Sequence, residues 1–333
     1  MTGTELTWLS AHIFYHGNSD ELLTGAVLPL FDELFADGLL RRRFFLRHWE
    51  RGPHVRVRLQ VEAGQADAVR ARVADRITGH LAEHPGPADA DPERLRASLR
   101  KLSLLEHGSD ADPELRAAEP ANTLRWIGYV PELAKYGGPA GLAVAEDVFD
   151  VSSLLAGQVL RQVGSDNARL GIALQLLLIA GRSLGLDDAG LAVFLRSYQE
   201  RWQGYLPDAD AMLAAWAAQY EHQRDRYRSL VADLAEERPI GKGLGEHWER
   251  TLDTAVARLR PLVEDGSVWP SDVDRAAPPF VAIAALLCQY LHTTNNRMNV
   301  RPQGECFIAY LAHRAVTEQM SRPHALADAA GKE

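Results

Sequence analysis

Phe44–Val61, FFLRHWERGPHVRVRLQV, decides how the chain is read. The stretch has the form of two strands joined by a tight turn at Arg51-Gly52, with Pro53 entering the second strand. That second strand alternates: Val55, Val57, Leu59 and Val61 point one way, and His54, Arg56, Arg58 and Gln60 the other. A two-residue loop at Arg51-Gly52 sets the register. Trp49 then lies opposite His54, Arg47 opposite Arg56, and Phe45 opposite Arg58. This register predicts one sheet face carrying Arg47, Arg56, Arg58, His54 and Trp49. Like charges directly opposite one another are unfavourable on a sheet. Either something polar or anionic sits among them, or the face is solvated and its arginines splay into water.

The rest of the chain bounds the answer. Its 333 residues allow one large domain or two ordinary ones. Hydrophobic content of 46% and charged content of 24% belong to a globular protein able to bury a sizeable core. The formal net charge of −9 argues against nucleic acid or an anionic membrane as the main partner. The local arginine cluster stands out against that background. The two cysteines, Cys288 and Cys306, lie in apolar helical sequence and read as buried, inert thiols. The first residues, MTGTELTWLS, show no signal-peptide pattern. The apolar runs Leu170–Ala180 and Phe280–Leu291 are shorter than the roughly 20 residues a membrane span needs. A cytoplasmic location follows by elimination.

Hydrophobic spacing predicts a strand over Thr7–Tyr15, a helix over Glu21–Ala36 for which Asn18, Ser19 and Asp20 offer an N-cap, the hairpin, a helix over Gln65–Glu83 and another over Pro92–Leu105. A polar loop, Glu106–Asn122, precedes a last strand over Leu124–Val130. From Gly141 onward seven segments have helical length and spacing, among them Ala209–Glu236 and Pro278–Asn295. The predicted fold is α+β: an antiparallel ferredoxin-like sheet region followed by a mainly helical C-terminal half. The expected organisation is a sheet region over 1–140, a helical region over 141–321 packed on it as one compact unit, and a flexible tail over 322–333. Phosphate-loop, dinucleotide, HExxH and GxSxG signatures are missing, and Gly241–Gly245 reads as a loop. Cofactor-free chemistry or pure binding remains.

Three blocks carry a family resemblance. FFLRHWERGPHVRVRL resembles the FxxRxxxxGPHLRLRF strand pair of the C-terminal domain of lantibiotic dehydratases. Tyr129–Gly138, YVPELAKYGG, is similar to that family's YxPExxRYGG segment, and Glu146 and Phe149 to its AExxF helix. Leu291–Met298, LHTTNNRM, is similar to its HMxxNRL segment. In order, the blocks span most of the chain. The length suggests a stand-alone relative without the large glutamylation domain. The resemblance implies action on a modified ribosomal precursor peptide, leader plus core, with no cofactor and no metal. Other biosynthetic enzymes of the pathway are further partners it allows.

Two activities are implied by such relatives. One joins two dehydroalanines in a formal aza-cycloaddition, forming the pyridine of a thiopeptide macrocycle with loss of water and the leader. The other eliminates glutamate from glutamylated Ser or Thr. A non-catalytic peptide-binding subunit is a third reading. The eliminase pattern has an arginine where this chain has Lys135, which keeps the charge but loses the planar fork that grips a carboxylate. That departure, with the RHWxxGPH form of the hairpin, tilts the resemblance toward the pyridine-forming branch. It nominates His292, Arg56, Arg58, Tyr136 and Ser152 as catalytic. It nominates Arg47, Trp49, His54, Lys135, Glu146, Asn296 and Arg297 as substrate-binding. Each has a structural alternative. His292 would be a satisfied core histidine, Tyr136 would pack a bend, Ser152 would bond its own backbone, Glu146 would be a surface charge and Trp49 a half-buried sheet aromatic. The resemblance further implies that His292 is brought toward the arginine face.

Overall fold

The computed structural model describes residues 5–87, 92–108, 118–236, 238–241 and 243–321. The predicted tail 322–333 lies outside them. Strands are β1 (Leu6–Phe14), β2 (Arg42–His48), β3 (His54–Glu62) and β4 (Thr123–Trp126). Helices are α1 (Ser19–Leu22), which runs through a π turn (Leu23–Val27) into α2 (Leu28–Ala36), then α3 (Ala66–Glu83), α4 (Pro92–His107), α5 (Pro139–Gln162), α6 (Asp166–Ser183) and α7 (Asp188–Gln203). They continue with α8 (Ala209–His222), α9 (Arg224–Ala235), α10 (Leu244–Glu264), α11 (Pro279–Arg297) and α12 (Pro302–Met320). A small N-terminal antiparallel sheet is followed by a mainly helical half, the α+β class expected from the sequence.

The chain forms two compact units. The first holds Met1–Gly164, Ser267–Asp272 and Asn296–Asn299; the second holds Ser165–Gly266, Val273–Asn295 and Val300–Glu333. Composition places the change near residue 140, whereas the first unit runs on through α5.

In the first unit the strand order is β2-β3-β1-β4, all neighbours antiparallel. One face is apolar: Leu9, Ala11 and Ile13 of β1 and Val55, Val57, Leu59 and Val61 of β3 are essentially inaccessible. Helices α1 to α3 cover it. Val69, Val73, Ile77 and Leu81 of α3 recur at helical spacing and are buried. Arg43 lies over the Phe35 ring of α2, and Arg70 of α3 over Trp126.

The hairpin register differs from the expected one. His48 pairs with His54, Leu46 with Arg56 and Phe44 with Arg58, and the loop is Trp49–Pro53. A two-residue loop would close on a hydrogen bond donated by the residue after Gly52, and Pro53 has no N–H to give. The chain instead makes a turn with Gly52 N–H bonded to Trp49 O (2.9 Å) and takes positive φ at Arg51 (62°) and Gly52 (109°). This one-residue slip moves every β2 side chain to the other face. Arg47 therefore sits on the apolar, helix-covered face, opposite Val55, and not with Arg56 and Arg58.

β2 is an edge strand whose outward groups at 43, 45 and 47 need partners. The Arg43 N–H donates to Asp150 Oδ1 (2.8 Å) and the Phe45 N–H to Ser153 Oγ (3.3 Å), both from α5. This lateral docking is why α5 counts with the sheet. Asn296 bonds both backbone groups of Arg47: its Oδ1 accepts at 2.8 Å and its Nδ2 donates at 3.0 Å. Arg297 Nε donates to Phe45 O at 2.9 Å.

β4 ends at Trp126, short of the expected Val130; Gly128 and Pro131 suit irregular backbone better. In the second unit α12 packs against α6, α7, α8 and α9. The segment expected as one helix over Ala209–Glu236 breaks at Gln223. The break lets Tyr220 and Tyr227 stack with ring centroids 5.6 Å apart, where a straight helix would set them about 10 Å apart along its axis. Cys288 and Cys306 are buried, as expected.

Candidate functional site

The polar sheet face is built by alternation on three strands. β1 contributes Trp8, Ser10, His12 and Phe14; β3 contributes His54, Arg56, Arg58 and Gln60; β2 contributes Phe44, Leu46 and His48. His12, His54 and Arg58 are buried there. The His54 Nδ1–H donates to Gly52 O (2.8 Å), since a carbonyl can only accept. That leaves Nε2 as an acceptor, and it takes a bond from Arg56 Nε (3.2 Å). Arg58 Nη2 meets His12 Nε2 at 3.2 Å. The His12 and His54 rings stack at 5.0 Å, and His48 lies 5.4 Å from His54.

Burial, reinforced by Arg58 and then Arg56, pushes His12 far below the ordinary histidine value, and burial, reinforced by Arg56, does the same to His48. Burial brings His54 to about 3, although its bond to Gly52 O opposes the shift. All three are neutral at physiological pH; His12 and His54 accept from the Arg58 and Arg56 guanidinium groups, and His48 Nδ1 accepts from the Glu50 N–H (3.2 Å). Burial, then Arg56, lowers Arg58 to about 10, and it remains a cation. Arg56 is balanced by Glu50 through Nη2–Oε2 at 2.7 Å. The face is thus a set of guanidinium donors held in place by neutral imidazoles.

An aromatic wall borders it. Trp8 and Tyr129 meet edge-on at 5.4 Å, as do Trp8 and Phe44, and Phe44 packs on Phe149 of α5. The Arg58 guanidinium lies over the Tyr129 ring at 5.3 Å. Tyr129 donates its hydroxyl proton to Glu146 Oε1 (2.9 Å), and burial raises the pKa of both groups. Tyr136 is buried edge-on to Phe149 at 5.3 Å. The next residues, Gly137 and Gly138, have φ of 77° and 102°; a Cβ on Gly137 would come within 2.7 Å of the Trp269 backbone nitrogen. The YGG motif is therefore a backbone requirement of the bend that leads into α5. Lys135 pairs with Glu132 at 3.6 Å.

The structure groups the nominated residues unevenly. His54, Arg56 and Arg58 share the polar face, with Glu146 attached through Tyr129. Trp49 is in the loop, its ring parallel to His48 at 6.1 Å. Arg47 is elsewhere, bonded to Asp20 (2.5 Å), Ser19 and the carbonyls of Asn296 and Arg297. Ser152 is fully buried and donates to Phe149 O, one helical turn back. Asn296 serves the β2 edge. Arg297 is fully buried over the Phe149 ring at 5.0 Å, and burial lowers it to about 9. Its Nη1 and Nη2 have no hydrogen-bond partner among the described residues.

His292 belongs to the second unit. Its Nδ1 is 2.8 Å from Oε1 of the buried Glu305, and its ring stacks on Trp202 at 4.2 Å. His12, His48, Glu50, Tyr129, Trp202 and Glu305 had not been nominated from sequence. β1 alternation carried the signal for His12: when Leu9, Ala11 and Ile13 face one way, His12 faces the other. Glu305 gave none, because its partner lies on another helix. Among the described residues no group of three or more His, Cys, Asp or Glu is placed to hold a metal ion.

Comparison with known families now bears on this geometry. Residues 8–316 match the family described as lantibiotic biosynthesis dehydratase C-term. The chain belongs to that family. Among solved structures, the pyridine synthase TbtD from thiomuracin biosynthesis superposes with a TM-score of 0.76 at 24% identity, covering 93% of this chain and 98% of that one. TsrL follows with 0.67 at 21%, covering 96% of both. The tRNA-dependent lantibiotic dehydratase MibB from Microbispora sp. 107891 gives 0.57 at 18%; 96% of this chain corresponds to 29% of MibB. No curated protein matched. Among the described residues no helix is long and apolar enough to cross a membrane.

Proposed function

We propose that this protein is a thiopeptide macrocyclase that acts in the cytoplasm on a dehydrated precursor peptide. It joins two dehydroalanines by formal aza-cycloaddition. One dehydroalanine and its amide, as the imidate tautomer, supply the C=C–N=C unit, and the other supplies the C=C partner. Two C–C bonds form, one from each terminal carbon of that unit to the two carbons of the alkene, while the nitrogen keeps the bonds it already has. Loss of water and of the leader as its amide then gives the aromatic pyridine. The sequence is redox-neutral.

The observation that carries this reading is the end-to-end correspondence with TbtD, joined to a sheet face of buried guanidinium donors. Arg56 and Arg58 would donate to the amide oxygen as it gains imidate character. Such donors act best when pre-aimed in a site shielded from water, and His12, His54 and Glu50 hold them so. His292 would move the proton between nitrogen and oxygen and assist the two departures. Trp8, Trp49 and Tyr129 offer flat surfaces for heterocycles of the core peptide. Holding two distant alkenes together would supply much of the acceleration.

Family membership favours one competing reading, glutamate elimination, in which the same arginines would hold the departing carboxylate. Lys135 weighs against it: its ammonium pairs with Glu132 and has no planar fork. Incubation with a leader-bearing precursor containing two dehydroalanines separates the readings by mass. Release of the leader with a cyclic core supports pyridine formation. Inertness there, with glutamate loss from a glutamylated peptide, supports elimination. Leader binding without turnover of either substrate supports a non-catalytic peptide-binding subunit.

A further inference from the structure

We infer that Glu305, with Tyr198 and Asn295 behind it, is a positioning residue that locks His292 in its Nδ1–H tautomer and leaves Nε2 as the working nitrogen. This rests on the reading that His292 carries a proton. The geometry is contained in the second unit. Glu305 is inaccessible to solvent, whereas the His292 side chain is 25% exposed. Glu305 Oε1 faces His292 Nδ1 at 2.8 Å. Oε2 accepts from the Tyr198 hydroxyl and from Asn295 Nδ2 (3.1 Å). Asn295 Nδ2 also reaches the Tyr198 oxygen at 3.2 Å. With its oxygen engaged by an N–H donor, that hydroxyl turns its proton to Glu305.

Such a carboxylate is an acceptor from three directions. Two of its donors are fixed, so the third position, at Nδ1, must also present a hydrogen. Charge points the same way. Burying an unpaired carboxylate is costly. Among the described residues the one cationisable group in ion-pair range of Glu305 is His292. Glu305 also lies in the first turn of α12, where the positive end of the helix dipole offsets part of its charge. When Nε2 takes a proton, the imidazolium forms beside a waiting counter-charge. Trp202, stacked at 4.2 Å, holds the ring plane and keeps it from swinging off the carboxylate. A merely structural histidine would need neither a buried carboxylate with two further donors nor a partly exposed side chain. Orientation of a histidine by a buried carboxylate is a recurring way to prepare a general base.

The test uses the full chain labelled with nitrogen-15 in histidine. The His292 signals are assigned by difference from His292→Asn. Long-range proton–nitrogen spectra should show a protonated Nδ1 and an unprotonated Nε2 in the wild type. Glu305→Gln, whose amide can either accept or donate, should populate both tautomers and lower turnover of the dehydroalanine precursor about 100-fold. Tyr198→Phe should leave the tautomer fixed but lower turnover several-fold and shift the pH–rate profile. It also keeps the inference testable should Glu305→Gln fold poorly. An Nε2–H tautomer in the wild type would overturn the inference. So would wild-type turnover in a folded Glu305→Gln protein or, if that variant does not fold, an unshifted pH–rate profile in Tyr198→Phe. The two readings fail separately. Full activity in His292→Ala sinks the role of His292 itself. An inactive His292→Ala beside a fully active Glu305→Gln sinks only the positioning role.

Discussion

Acidification should unfold the sheet unit from within, because it buries histidines that must stay neutral. His54 is 4% exposed and titrates at about 3 in the folded state, against about 6.5 when unfolded. Between those values the unfolded chain binds a proton that the folded chain refuses, so stability falls as pH falls through the window. From pH 6.5 to pH 5 the loss for His54 is about 1.6 kcal/mol, at about 1.4 kcal/mol per proton and pH unit once the unfolded form is charged. His12 and His48 are lowered for the same reason and add losses of the same sign. Glu146 and Asp150, both raised by burial, work in the opposite direction over the lower part of the window and reduce the total. A loss of several kcal/mol is a large share of the roughly 5–15 kcal/mol that keeps a protein folded. Urea titrations followed by tryptophan fluorescence at half-unit steps of pH would measure it. His54→Gln keeps a donor for Gly52 O and an acceptor for Arg56 but cannot titrate, and its pH slope should be shallower by about one proton. A urea midpoint that does not move between pH 6.5 and pH 5 would refute the reasoning. So would equal slopes for wild type and His54→Gln.

Other outcomes follow from named contacts. Arg56→Ala and Arg58→Ala should both lower turnover strongly, and each should cost about 1–3 kcal/mol by leaving the Nε2 of buried His54 or His12 without its donor, as urea unfolding would show. Asn296→Ala should cost about 1–3 kcal/mol because it strips both outward backbone groups of Arg47, and loss of hydrogen-exchange protection should concentrate on β2. Gly137→Ala should destabilise the first unit by more than about 1 kcal/mol, since φ is positive and the new methyl meets the Trp269 backbone; a thermal melt is sufficient. His292→Ala should reduce turnover by about 10²–10⁴-fold and leave leader binding, measured by calorimetry, nearly unchanged.

Local periodicity carried the elements but not the pairings. The alternation of β3 and the 3.6-residue spacing of the helices depend on nearest neighbours, and those segments formed close to where they were expected. The hairpin register depended on a backbone donor, and one proline moved it by a residue. Arg56, Arg58 and His54 stayed together through that shift because they share a strand; Arg47 left because it does not. The edge-capping contacts of Asp150, Ser153, Asn296 and Arg297 are tertiary, between positions more than 100 residues apart. Nothing local could show that the Asn-Arg pair after His292 finishes a strand. Glu305 stayed hidden because it lies on a different helix from His292, although His292 was legible from the resemblance.

The central claim is that the buried guanidinium face drives pyridine formation. Its most direct measurement is mass analysis of a leader-bearing precursor with two dehydroalanines, incubated with wild type and with Arg56→Ala. The account predicts a cyclic core and a free leader amide with the wild type, and a slowed appearance of both with a folded Arg56→Ala protein. Equal rates for the two would contradict it, as would glutamate release from a glutamylated peptide with no cyclisation at all.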